Sequence, residues 1–293
     1  MKGGIPHLLL AALLSASFLC LPLGAQAPAG RGPTPAHNIL TPEEAAAGWV
    51  LLFDSKSMRG WDDPGGRNPP GDSWSIEDGC LKARAKPRLV EDLLTRDTFR
   101  DFELVFEWRI SRGGNSGVKY RIQDRIFMDN SKLKPGATRF EEMVDYEILQ
   151  KPSLRTNLAP DGAGGEYVIG FEYQVIDNSL HPDAQRGARY QAGALYDLAA
   201  AASDASRPPG EFNQARVVVR GNRVEHWLNG VKVVEATLGS DELAQPLARR
   251  WTAASPVYKM LSRPAKQNCP IGLQNHGDEA WFRNIKIRRL DAR

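Results

Sequence analysis

A carboxylate, two amides and an imidazole recur in this chain at strand spacing. In Phe171-Glu172-Tyr173-Gln174-Val175-Ile176-Asp177, alternation puts Phe171, Tyr173 and Val175 on one face and Glu172, Gln174 and Ile176 on the other. With the first set turned to a core, Glu172 and Gln174 stand about 7 Å apart along the strand. A carboxylate can move a proton there, and an amide can hold a hydroxyl-rich ligand such as a sugar. Near the end, Ile271-Gly272-Leu273-Gln274-Asn275-His276 alternates again, with Gln274 and His276 opposite Leu273. Histidine titrates near neutrality and suits proton transfer. In Gly113-Gly114-Asn115-Ser116-Gly117, three glycines let the backbone turn tightly or approach a ligand. Val118 and Tyr120 then face one way and Lys119 and Arg121 the other, which aims Arg121 toward the surface of Glu172. Glu172 and His276 are therefore the candidate catalytic residues. Asn115, Arg121, Gln174, Asp177 and Gln274 are the candidate substrate-binding residues. Glu172, Arg121 and His276 each have a plainer alternative: a solvated Glu, a surface Arg beside a Gly-rich turn, and a structural His. His226 shares a face with Leu228 and is expected to pack; the role of His181 is open.

The elements that must position these groups read as β. Asp101 to Ile110 is the strongest strand, with Phe102, Leu104, Phe106, Trp108 and Ile110 on one face. Residues 73–81 give two short strands around Asp78-Gly79, and 117–122 and 170–176 follow with the same period. Residues 216–219 and 224–228 flank Gly221-Asn222, and Asn229-Gly230 turns into 231–236, the clearest hairpin signal. Segments 271–275 and 281–290 close the chain. No stretch keeps a 3.6-residue apolar period beyond a turn or two. Many short strands and Gly-rich turns predict an all-β antiparallel sandwich. Two segments, 123–165 and 238–268, exceed ordinary loops of about 4–6 residues and are expected to shape a site.

The first 27 residues read as a signal peptide: Lys2, an apolar run from Leu8 to Leu23, then Ala25-Gln26-Ala27. That run is short for a membrane span, which needs about 20 residues. Residues 28–47 read as a Pro- and Gly-rich linker ending in a short helix capped by Thr41-Pro42. The net charge is +3; removing Lys2 leaves 37 basic against 35 acidic residues, a balance of +2, too small to argue for nucleic acid. Export permits a disulfide between Cys80 and Cys269, and two buried free thiols are the alternative. No phosphate-binding Gly loop, G-x-S-x-G elbow or H-E-x-x-H is present in the sequence.

The blocks GWVLLFDSKSMRGW (48–61), WSIEDGCLKA (74–83), DFELVFEWRI with GGNSGVKYR (101–121), FEYQVIDN (171–178), GALYDL (193–198), EFNQARVVVRGNRVEHWLNGVKVVE (211–235) and PIGLQNHGDEAWFRNIKIRRL (270–290) are carried in this order. Together they resemble the 3-keto-disaccharide hydrolase domain family, over most of 48–291. The resemblance implies a concanavalin-like jelly roll of two antiparallel sheets with long loop insertions, acting on 3-keto-glycosides.

The expected function is an exported, periplasmic or secreted, enzyme that cleaves 3-keto-glycosides by 1,2-elimination, hydration or both. A non-catalytic carbohydrate-binding or surface-interaction module is the alternative, to be recognised by exposed aromatic platforms among Trp61, Trp74, Trp227, Trp251 and Trp281. The expected partner is a small carbohydrate, with no nucleic acid and no membrane span once the leader is gone; the oligomeric state is not legible. No cofactor is predicted. A divalent cation stays open, because Asp, Glu and His can bind one, although no ligand spacing points to it.

Overall fold

The computed structural model describes residues 37–62, 71–87, 90–129, 144–145 and 164–290, without the side chains of 127–129, 144–145 and 164–166. The leader and residues 28–36 of the linker lie outside the described residues, as does most of the 123–165 insertion. Thr41 caps the helix α1 (Pro42–Ala46), accepting from the Glu44 amide while the Glu44 carboxylate accepts from the Thr41 amide.

The strands run β1 (Trp49–Leu51), β2 (Trp61–Asp62), β3 (Trp74–Glu77), β4 (Cys80–Ala83), β5 (Leu93–Thr95), β6 (Phe102–Ile110) and β7 (Asn115–Asp129). They continue as β8 (Val144–Asp145), β9 (Gly164–Ile176), β10 (Asn213–Arg220), β11 (Arg223–Leu228), β12 (Val231–Thr237), β13 (Gly272–Asn275) and β14 (Ala280–Arg289). Among the described residues they form an eight-stranded sheet, β12-β11-β10-β6-β14-β4-β3 with β1 beside β14, and a six-stranded sheet, β2-β5-β13-β7-β8 with β9 beside β7. The described pairings are antiparallel, so the chain is a two-sheet antiparallel sandwich, as the alternation predicts.

The core lies between the sheets. Phe102, Leu104, Phe106, Trp108 and Ile110 of β6 are all buried against Val118, Tyr120, Phe171, Tyr173 and Val175 of β7 and β9. The Phe106 and Tyr173 rings meet edge-on across the interface, 5.5 Å between centroids. One polar link crosses the same interior. The His226 Nδ1–H donates to the Gly193 carbonyl (2.9 Å), which leaves Nε2 to accept from the Tyr120 hydroxyl (2.9 Å). Burial lowers the pKa of His226 to about 4 and keeps it neutral. The expected packing role of His226 is thus joined to a hydrogen-bonding one.

The hairpin turn at Asn229-Gly230 has positive φ at both residues, 48° and 85°, the conformation that an Asn-Gly pair tolerates best. The 238–268 insertion carries two helices, α2 (Asp241–Arg250) and α3 (Pro256–Ser262). Leu243 and Leu247 of α2, and Val257 and Leu261 of α3, supply one buried i,i+4 pair each. On the outer face of the eight-stranded sheet, cations and rings alternate. Lys82 and Arg109 lie over Trp281 (4.9 and 4.2 Å), and Arg109 and Arg283 over Phe212 (5.1 and 3.6 Å).

Cys80 and Cys269 are both buried free thiols, which corrects the disulfide expectation. Cys80 sits on β4 of the eight-stranded sheet, whereas Cys269 packs with Leu94, Ile122 and Val168 beside the other sheet.

Candidate active site

The outer face of the six-stranded sheet gathers the polar residues. Lys119 pairs with Glu172 and Gly117 with Gln174 between β7 and β9; Gly272 pairs with Lys119 and Gln274 with Gly117 between β13 and β7. Directly paired residues share a face, so Lys119, Glu172, Gln174 and Gln274 rise from one patch. Gly117 leaves the space that Glu172 uses. A β-carbon there would stand 2.7 Å from both the carboxyl carbon and Cγ of Glu172. The carboxylate accepts from the Gln274 amide (Nε2 to Oε2, 3.3 Å).

Glu172 is 8% exposed. Burial raises its pKa to about 7, against the lowering pull of Lys119 and Arg250, with Asp92 and Asp183 adding to the rise. Lys119 donates to Asp92 (2.8 Å) and lies 4.8 Å from the centre of the Tyr167 ring. Burial opposes its charge, but the carboxylates of Asp92 and Glu172 outweigh this and hold its pKa above the ordinary lysine value. The walls come from distant segments. Arg250, at the end of α2, stacks on Tyr196 (4.9 Å) and reaches the Tyr167 hydroxyl (3.4 Å). The Tyr196 hydroxyl donates to Asp183 (2.8 Å), which also pairs with Arg186.

His276 stands just past the end of β13, two residues beyond Gln274. Its ring is open to solvent, yet protein crowds around it. Neighbouring protein lowers its pKa, with Asp278 opposing. Strand parity puts residue 276 on the face of Gln274, just beyond the end of β13. Gln274 Oε1 and Asn115 Oδ1 are buried acceptors that no donor among the described residues reaches.

Three expected contacts are placed differently. Arg121 is turned away from Glu172. It lies in an irregularity of β7 between Tyr120 and Asp124 and has φ of 51°, which re-aims the side chain. Its guanidinium donates to the carbonyls of Gln267 and Gly221 and to Asp101 (3.3 Å), tying β7 to the other sheet. Gln174 shares the face of Glu172 but is fully covered; its Oε1 accepts from the Val175 amide (3.2 Å) and its amide approaches the Tyr190 carbonyl (3.5 Å). Asp177 fixes two loops, accepting from the Gly113 amide (2.7 Å) and from the Ser179 amide and hydroxyl (2.9 and 2.6 Å). Burial would raise its pKa, but these donors outweigh that and hold it below the ordinary range.

Lys119, Asp92, Tyr167, Tyr196 and Arg250 escaped the sequence reading as site residues. Lys119 alone had a signal, since it sits one alternation from Gly117. Among the described residues, no three His, Cys, Asp or Glu side chains converge on a point that could hold a metal ion.

Residues 48–288 match the model of the 3-keto-alpha-glucoside-1,2-lyase-like domain. The chain belongs to this family. A 3-keto-disaccharide hydrolase from Bacteroides thetaiotaomicron is 32% identical over 262 residues, covering 84% of this chain and 80% of that protein. The crystal structure of a candidate glycosyl hydrolase from Parabacteroides distasonis is 26% identical, with a TM-score of 0.62, and covers 87% of this chain and all (100%) of that one. A second from the same organism, at 24% identity and a TM-score of 0.52, shares the fold over 83% and 99% of the two chains. Within this 3-keto-alpha-glucoside-1,2-lyase-like chain the tryptophans named as platforms are not open. Trp61, Trp74, Trp251 and Trp281 are buried, and half-buried Trp227 has Arg216 over its ring at 5.0 Å.

Proposed function

We propose that this protein is an exported enzyme that cleaves 3-keto-glycosides by 1,2-elimination, with hydration completing a net hydrolysis. The observation that carries the reading is Glu172: a desolvated carboxylate, ionising near pH 7, beside two unengaged buried acceptors on one patch. A ketone at C3 acidifies the hydrogen on C2. Glu172 takes that proton, the C2–H electron pair enters the C1–C2 bond, and the C1–O bond breaks with its pair leaving on the departing oxygen. Negative charge that builds on the C3 oxygen meets the positive field of Lys119 and Arg250. The protonated Glu172 then supplies the departing oxygen. In the hydration step His276 suits deprotonation of the water that adds at C1, and that proton is returned at C2. Gln274, whose amide already meets the Glu172 carboxylate, orients that base.

The test is incubation of purified protein with 3-keto-trehalose or a related 3-keto-glycoside, following the released sugar. Turnover by the native protein and its loss in Glu172→Gln support the reading; no turnover of any 3-keto-glycoside overturns it. Export rests on the composition of residues 1–27, and the mass of protein recovered from the cell envelope or medium tests it. Loss of the leader mass is expected.

A further inference from the structure

Among the described residues, the charged groups that face Glu172 are Lys119 from β7, Arg250 from α2, Asp92 from the segment before β5, and Asp183 from the loop after β9; Tyr196 and Tyr167 line the same hollow. Lys119 is directly opposite Glu172 in the β7–β9 register. Its ion pair is nevertheless with Asp92, at 2.8 Å, and the two side chains are only 2% and 5% exposed. A pair so deeply buried is a weak source of stability, because desolvation offsets most of the Coulomb gain. Its geometry fits another role. Asp92 and the Tyr167 ring hold the ammonium on one side. On the other, the Glu172 carboxylate is drawn over Gly117 to the Gln274 amide. The two opposite charges thus stand near each other without closing into a salt bridge.

We propose that the Lys119–Asp92 pair is a charge-positioning device for Glu172: Asp92 holds the ammonium beside the buried carboxylate and keeps it from closing onto that carboxylate and silencing it as a base. The device rests on Glu172 being the proton-transferring group. A carboxyl desolvated this completely, with no cation nearby, ionises only at about pH 8–9. Glu172 stops at about 7, with Lys119 the largest lowering influence on it. Removing Lys119 and removing Asp92 therefore have opposite consequences, which a merely structural role does not produce.

The experiment is the pH profile of kcat/KM on a 3-keto-glycoside for the native protein, Lys119→Met, Lys119→Arg, Asp92→Asn and the double variant Lys119→Met/Asp92→Asn. The same carboxyl is titrated directly by carbon NMR with labelled glutamate, assigned by the signal missing from Glu172→Gln. Lys119→Met is expected to move the acid limb and the NMR midpoint up by roughly one pH unit or more, and Asp92→Asn to move both down. Lys119→Arg keeps the limb in place, and the double variant, which buries no lone charge, moves it up less than Lys119→Met. Coincident limbs and midpoints in Lys119→Met and Asp92→Asn overturn the device while leaving Glu172 as the base. Full activity in Glu172→Gln instead overturns the reading beneath it. The NMR midpoint reads the device even where turnover is lost.

Discussion

The carboxylate of Glu172 lies across the α-carbon of Gly117, in the space where any other residue would carry its β-carbon. The patch therefore depends on what residue 117 lacks as much as on what residue 172 carries. Gly117→Ala needs no unusual backbone, but the added methyl displaces the carboxyl carbon that stands 2.7 Å from its position. We expect kcat/KM to fall about 100-fold with little change in Tm, because an ångström of misplacement costs about that much. An activity within threefold of native contradicts the placement.

Glu172 also carries a stability cost. Its folded pKa of about 7 exceeds the unfolded value of 4.5, so folding is helped below pH 4.5 and that help is lost as pH rises through 7. Glu172→Gln should accordingly be more stable than native protein at pH 8, by up to about 3 kcal/mol, while inactive. Thermal unfolding at pH 8 checks the sign.

His226 titrates in the opposite sense. Its folded pKa, about 4, lies below the ordinary 6.5, so the unfolded chain binds a proton first as pH falls. Its contribution is complete above pH 6.5 and is withdrawn between 6.5 and 4, roughly 3 kcal/mol in all. Denaturant unfolding of native protein and His226→Phe at pH 7, 5.5 and 4 should converge as the pH falls.

Arg121 serves architecture. Arg121→Ala removes donors from Asp101, Gly221 and Gln267 and should cost about 2–4 kcal/mol. The folded fraction should keep its KM. A raised KM at unchanged stability would return Arg121 to the substrate.

Reduction should leave the unfolding midpoint unchanged, since Cys80 and Cys269 are free thiols. Thiol titration of the denatured, unreduced protein lacking residues 1–27 should find both.

Strand alternation made much of this legible. Phe171, Tyr173 and Val175 had to go inward, which left Glu172 outside, and the same rule placed Gln274. The rule failed at Arg121, because alternation assumes an unbroken pleat and a left-handed residue breaks it. It also does not report whether an outward side chain is later covered, which is the fate of Gln174 under the 188–194 segment. Asp92, Tyr196 and Arg250 reach the patch from segments 80, 24 and 78 residues from Glu172 in the chain. Only tertiary folding joins them.

The ladder of Lys82, Trp281, Arg109, Phe212 and Arg283 leaves the eight-stranded sheet with a chemically quiet back. Among the described residues, the rings of Trp281 and Phe212 on that flank already carry cations over their faces, which leaves them poor stacking surfaces for a pyranose. A tether, dye or fusion partner belongs on this side of the molecule, where it leaves the opposite flank turned toward solvent.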